Sequence, residues 1–145
     1  MPEKSYTDAL IADIKYESGL VTDRTVTSIF FGGGTPSLFS GEAVERILSS
    51  ATDYFSISDD CETTLEANPG TAEAAHFKAY RNAGINRLSI GMQSFNNAQL
   101  RRLGRIHKAE ESMLAYQLAR DAGFDNINID LMYGLPEQNL EQGLY

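Results

Sequence analysis

Phe30-Phe31-Gly32-Gly33-Gly34-Thr35-Pro36-Ser37 joins an apolar, strand-like run to three glycines and a proline. Without Cβ atoms the glycines admit positive φ and let a ligand approach bare backbone, while Pro36 fixes the exit and Ser37 is placed to cap the next helix. The stretch reads as a strand that feeds a loop for a small polar molecule. Working outward, Glu66, Gln93 and Asp130 fall at or near the ends of later strand-like segments, about thirty residues apart. Repeats of that kind point to one shared mouth.

The flanking segments supply the rest of the repeat. Tyr6 to Glu17 carries Leu10, Ile11 and Ile14 at helical spacing and is expected to end near Gly19. Thr25 to Phe31 is β-branched and aromatic, the pattern of a strand buried on both faces. Glu42 to Tyr54 reads as a helix with Val44, Ile47, Leu48 and Ala51 on one stripe. Glu62 to Ala67 reads as a strand closed by Asn68-Pro69-Gly70, with Cys61 at its start as a half-buried thiol. Thr71 then caps one helix running to about Ala83 and stopping at Gly84. Arg87 to Met92 is the next strand, Asn97 to Leu103 a short helix, Ala109 to Ala122 a longer one, and Ile127 to Met132 the last strand before Tyr133-Gly134-Leu135-Pro136. Another helix begins near Glu141.

Strand and helix alternate with short connections, which demands an α/β fold of parallel strands, about four consecutive βα units in number. An open doubly wound sheet and a (β/α) barrel both satisfy this order. The polar strand ends favour the barrel, because every barrel strand delivers its C-terminal end to one rim. Four strands cannot close a barrel, so the first and last are each expected to expose an edge.

Composition narrows the function classes. The 145 residues are 42% hydrophobic, enough for one domain with a core, and the cytoplasm is the expected address. A formal charge of −8 repels a phosphate backbone and argues against nucleic-acid binding. The single cysteine, Cys61, excludes an internal disulfide and any multi-cysteine metal site drawn from these residues. His76 and His107 have no i, i+4 partner, and His76 reads as a solvated helix position. No lysine lies between Gly32 and Arg46, so a Walker loop is disfavoured. Pro36 stands where the third glycine of a dinucleotide fingerprint would open its helix.

The candidate site residues are marked out by their placement. Glu66 points into the mouth from a strand end, its bland alternative being to brace a loop. Gln93 offers both donor and acceptor. Asp130 sits among Ile127, Ile129, Leu131 and Met132 and must find partners or lose its charge, a buried salt bridge being the bland alternative. Arg105, in the cluster Arg101 to His107, is suited to grip a carboxylate in a two-pronged bond, whereas Arg101 and Arg102 read as surface charges. Acceptors from three strands and one fixed cation suit a ligand with an ammonium, hydroxyls and a carboxylate. That is an amino-acid nucleoside.

The motifs FFGGGTPS, LEANPGT, NRLSIGMQSFN, LRRLGRIH and NIDLMYGLP, in this order, resemble the radical S-adenosylmethionine enzymes of the oxygen-independent coproporphyrinogen III oxidase family. LEANPGT and LGRIH look closer to its HemW, haem-chaperone-like branch than to the HemN oxidases. The resemblance implies a partial (β/α) barrel that holds S-adenosylmethionine and a [4Fe–4S] cluster at its C-terminal mouth. It implies that Gly33, Gly34 and Thr35 meet the methionyl amino group, that Arg105 meets the carboxylate, and that Glu66, Gln93 and Asp130 line the same pocket. The chemistry would belong to the cofactors, with the protein orienting them.

Members of that family hold the cluster with a CxxxCxxC loop, and Cys61 matches none of its ligands. The expectation is therefore an incomplete core domain over residues 1–145, an internal fragment whose parent supplies the cluster cysteines. Haem or a porphyrinogen is the expected partner of that parent, together with an electron donor. A chaperone role is preferred over oxidative decarboxylation of coproporphyrinogen III, and the third alternative is an unrelated barrel enzyme binding a phosphate ester.

Overall fold

The computed structural model describes residues 2–144. Helix α1 (Glu3–Ser18) precedes β1 (Thr25–Phe31), a 3-10 turn (Pro36–Leu38), α2 (Gly41–Tyr54) and β2 (Ser56–Ala67). Helices α3 (Thr71–Ala74) and α4 (Phe77–Ala83) lead to β3 (Arg87–Gln93), then α5 (Asn97–Arg102), α6 (Ala109–Asp121), β4 (Asn126–Leu131) and α7 (Leu140–Leu144). The four strands form one parallel sheet in the order β1-β2-β3-β4.

That sequential order separates the two expected architectures. A doubly wound sheet reverses its strand order at a switch point, whereas strands added one at a time through right-handed crossovers put every helix on the same face. The helices do stack in series, α1 on α2, α2 on α4 and α4 on α6. Beneath them lies the core: Leu65 and Ala67 from β2, Leu88, Ile90 and Met92 from β3, with Val44, Phe77, Tyr80, Ala115, Ala119 and Phe124 from the helices and their ends. The chain thus has the strand order of a partial (β/α) barrel.

The opposite face of the sheet is polar. Parallel register sets Glu62, Thr64 and Glu66 beside Ser28, Phe30, Arg87 and Ser89, and the last two beside Asn126 and Asn128. Arg87 pairs with Glu62 at 3.8 Å and donates to Thr64 Oγ1, while Asn128 donates to Ser89 Oγ and to Asp130 Oδ1. These side chains fill what would be a barrel interior with hydrogen bonds in place of apolar layers.

Several local expectations are corrected. β1 is not buried on both faces: it is a sheet edge, and Phe30, on the polar face, is 58% exposed. β2 begins at Ser56, so Cys61 lies within the strand and is buried. Ser40, not Ser37, caps α2, its hydroxyl accepting from the Ala43 N–H. The single helix expected from Thr71 to Ala83 breaks at residues 75–76, leaving exposed His76 as the N-cap of α4 and Thr71 as the first residue of α3.

Tyr80 explains why α4 stands apart from α3. Its side chain is fully buried, and its hydroxyl lies 2.7 Å from the carbonyl oxygens of both Ser37 and Phe39, tying α4 to the exit of the glycine loop. Burial pushes the phenol well above its ordinary value, and the Glu73 and Glu3 carboxylates add to the shift. The unfolded chain therefore starts to lose this proton near pH ~10 while the folded chain keeps it. Stability from the group is complete below about pH 10 and declines as pH rises toward the folded value. Tyr80→Phe is expected to cost about 1–3 kcal/mol at neutral pH by removing the single O–H that the Ser37 and Phe39 carbonyls share, and to flatten the decline above about pH 10. Urea melts of both proteins on either side of that pH check the pair of effects.

Candidate functional site

The C-terminal ends of β1, β2, β3 and β4 meet at one cleft of about 250 Å³. Gly34, Thr35, Glu66, Gln93, Arg105 and Asp130 all line it, and Asn68, Ser89 and Gly91 complete the wall between them. Gly33 stands at its edge, where its N–H donates to Glu66 Oε2 at 3.3 Å. All seven candidate residues are thus brought together by the strand order.

The loop geometry comes from its composition. Gly33 has φ +77° and Gly34 φ +56°, and a Cβ on either would meet no neighbour within 4 Å. The glycines are needed for the backbone turn, and the space beside them is open. Gly32 differs: its Cβ would come within 2.8 Å of the Phe30 ring and 3.3 Å of Glu66 Oε2. The glycine run therefore lets the Glu66 carboxylate lie against main chain.

Gln93 is held in an unfavourable conformation. Its φ is +66°, a left-handed value that costs a non-glycine residue about 1–3 kcal/mol, and it sits where the β3–β4 register shifts. Its carbonyl accepts from the Met132 N–H at 2.9 Å, and its side chain folds back over Gly91, where a Cβ would lie 2.8 Å from Nε2. Gly91 makes room for that amide. Gln93→Gly is expected to raise stability by about 1 kcal/mol while weakening ligand binding, since it relaxes the backbone and removes the amide. Opposite signs in a thermal melt and a ligand titration are the signature.

Charge is divided across the cleft. Glu66 and Asp130 supply carboxylates, and Arg105 supplies a guanidinium whose Nη1 donates to Asn68 Oδ1 at 3.2 Å. Among the described residues three cations are half-buried, and Arg46 and Arg87 have carboxylate partners whereas Arg105 has none within ion-pair distance. Asp130 is not in a buried salt bridge: its side chain is exposed on the polar face, accepting from Ser89 Oγ at 3.3 Å and from Asn128 Nδ2 at 2.7 Å. Ile127, Ile129 and Leu131 point to the other side of β4, as strand alternation requires. Asn68 was legible only as part of the Asn68-Pro69-Gly70 turn, and Ser89 and Gly91, within β3, carried no site signal of their own.

A second hollow, about 720 Å³ in volume, lies between α1, β1 and α2 on the other side of the glycine loop, with Gly33 on its wall and Gly34, Thr35 and Pro36 shared with the cleft. Its wall is mostly apolar, from Tyr6, Leu10, Ile14, Ile29, Phe31 and Ile47, and its carboxylate, Glu3, is already taken by the Ser40 N–H and hydroxyl. Glu3 is the only charged side chain on its wall, so it lacks the guanidinium and the facing carboxylates of the smaller cleft. The smaller cleft is the candidate site on chemical grounds.

Residues 3–143 match the family model described as the radical SAM superfamily. The chain belongs to the radical SAM superfamily. Its relatives include the haem chaperone HemW of Haemophilus influenzae, 47% identical over 99% of this chain and 39% of that protein. The haem chaperone HemW of Escherichia coli is 45% identical over 99% of this chain and 38% of that protein. Among solved structures, coproporphyrinogen III oxidase (HemN) from Escherichia coli, a radical SAM enzyme, superposes with a TM-score of 0.83 at 34% identity, covering 97% of this chain and 32% of that one. The chain therefore spans under two fifths of the length of these relatives.

Membership of the radical SAM superfamily implies S-adenosylmethionine and a [4Fe–4S] cluster. The two groups fare differently against the residues present. The cleft has the donor set for S-adenosylmethionine. For the cluster the residues do not fit: no group of three or more His, Cys, Asp or Glu side chains capable of holding a metal occurs among the described residues, and Cys61 is buried within β2. No helix among the described residues is long and apolar enough to cross a membrane.

Proposed function

We propose that the cleft binds S-adenosylmethionine, and that the protein as a whole is a cytoplasmic, HemW-like haem chaperone. The observation that carries the first part is the half-buried Arg105 guanidinium, which has no carboxylate of its own and shares a cleft with Glu66, Gln93 and Asp130. In this reading Arg105 grips the methionyl carboxylate, the Gly33–Thr35 backbone and Glu66 surround the ammonium, and Gln93 and Asp130 accept from ribose hydroxyls. The cleft is slightly below the ~300–1,000 Å³ of sites that enclose a whole ligand, so the adenine extends beyond it. When bound, S-adenosylmethionine supplies the group chemistry, and these side chains orient it.

The core formed by residues 1–145 is one part of a radical SAM domain in this proposal, with the cluster cysteines supplied by other chain segments. The two HemW relatives support a haem chaperone in preference to an oxidase, and haem is the proposed cargo. Haem binding without consumption of coproporphyrinogen III by the whole protein would favour the chaperone, and turnover of the porphyrinogen would favour the oxidase.

Amide NMR of the chain titrated with S-adenosylmethionine tests the site. Shifts at Gly33, Gly34, Gly91 and Gln93 are expected, with weak affinity because nothing but the cleft holds the methionine. Shifts confined to α1 and α2, around the apolar hollow, would refute the assignment.

A further inference from the structure

Asn68 and Glu73 connect three parts of the cleft that are distant in sequence. The Asn68 N–H donates to Glu73 Oε2 at 2.9 Å, and Asn68 Nδ2 lies 3.4 Å from Glu73 Oε1. Both nitrogens of Asn68 thus face one carboxylate, which fixes the amide orientation and turns Oδ1 toward Arg105 Nη1, 3.2 Å away. Glu73 also accepts from the hydroxyl of Ser37, at the exit of the glycine loop. The ends of β1 and β2 and the α5–α6 loop are therefore locked through two side chains.

The chemical identity at position 68 is the informative part. A guanidinium carries five donors and one charge. A carboxylate in place of Asn68 would fix it equally well but would neutralise it, leaving a weaker site for an anion. A neutral amide acceptor uses one donor, sets the direction of the fork, and leaves the positive charge for the ligand. Glu73 orients that amide through hydrogen bonds and donates no negative charge to Arg105 within ion-pair distance among the described residues.

We propose that Asn68, held by Glu73, is a positioning residue that aims Arg105 at the ligand carboxylate and so sets the preference for a carboxylate-bearing ligand. The proposal rests on the reading that the cleft takes S-adenosylmethionine. Its test compares S-adenosylmethionine with decarboxylated S-adenosylmethionine, which keeps the sulfonium, the adenosine and the amino group. The unsubstituted chain is expected to prefer the carboxylate-bearing ligand by about tenfold, the value of one charge-assisted pair. In Asn68→Ala that ratio is expected to fall toward unity, with affinity for S-adenosylmethionine falling more than affinity for the decarboxylated ligand. In Asn68→Asp the new carboxylate satisfies Arg105, and the ratio is expected to fall at least as far. Equal losses for both ligands would mean that Asn68 is merely structural and would overturn the proposal, as would a ratio unchanged in both variants. If the unsubstituted chain binds neither ligand, the reading of the cleft fails and this inference with it. A chain that discriminates while its Asn68 variants discriminate equally sinks the inference alone.

Discussion

Arg105→Glu is expected to abolish measurable binding of S-adenosylmethionine while leaving the fold intact. Removing one partner of a half-buried charge pair and replacing it with a repelling one costs about 2–4 kcal/mol, or roughly 30- to 1,000-fold in affinity. The fold should survive because the Arg105 side chain is half-buried and makes one hydrogen bond, to Asn68, while its backbone N–H to the Leu100 carbonyl is untouched. The same NMR titration measures it. Dispersed amide signals with no ligand-induced shifts are expected; shifts of ordinary size would show that the carboxylate is held elsewhere.

Phe77→Ala is expected to produce the largest change in stability. Phe77 is fully buried in the core, so truncation leaves a cavity costing about 3–5 kcal/mol, against a total stability of about 5–15 kcal/mol for domains of this kind. The thermal midpoint should fall by roughly 10–20 °C, since 1 kcal/mol shifts a chain of this size by about 2–6 °C. Circular dichroism melts report it. A shift of only ~2 °C would mean that α4 does not anchor the sheet as described.

The sequence was most readable where one residue type dictates one backbone shape. The run from Thr25 to Phe31 stops at glycines that must turn, and β1 ends there; Gly84, with φ +111°, closes α4 as expected. The site was readable for the same reason, because Glu66, Gln93 and Asp130 sit at or near strand ends and parallel strand order collects such ends. Features that depend on partners were not. The first half of β2 includes Ser58, Asp59 and Asp60, which carry no strand signal; its start is paired to Thr25 and Val26 of β1 across a register shift. The edge position of β1 followed from four strands being too few to close a barrel, but the exposure of its Phe30 face was not legible in the apolar run Thr25 to Phe31. The break between α3 and α4 has neither glycine nor proline at residues 75–76, and it results from Glu73 docking on Asn68 while Tyr80 docks on Ser37 and Phe39. Asn68 escaped notice because its function lies in contacts across the fold, to Glu73 and Arg105.

In the binding mode proposed, one cleft at the strand ends, and not the larger apolar hollow, receives the amino-acid end of a nucleoside ligand. A crystal structure of the chain with S-adenosylmethionine tests this most directly. The methionyl carboxylate is expected within hydrogen-bond distance of Arg105, and the ammonium against Gly33–Thr35 and Glu66. A ligand seated between α1 and α2, with Arg105 still bonded only to Asn68, would contradict it.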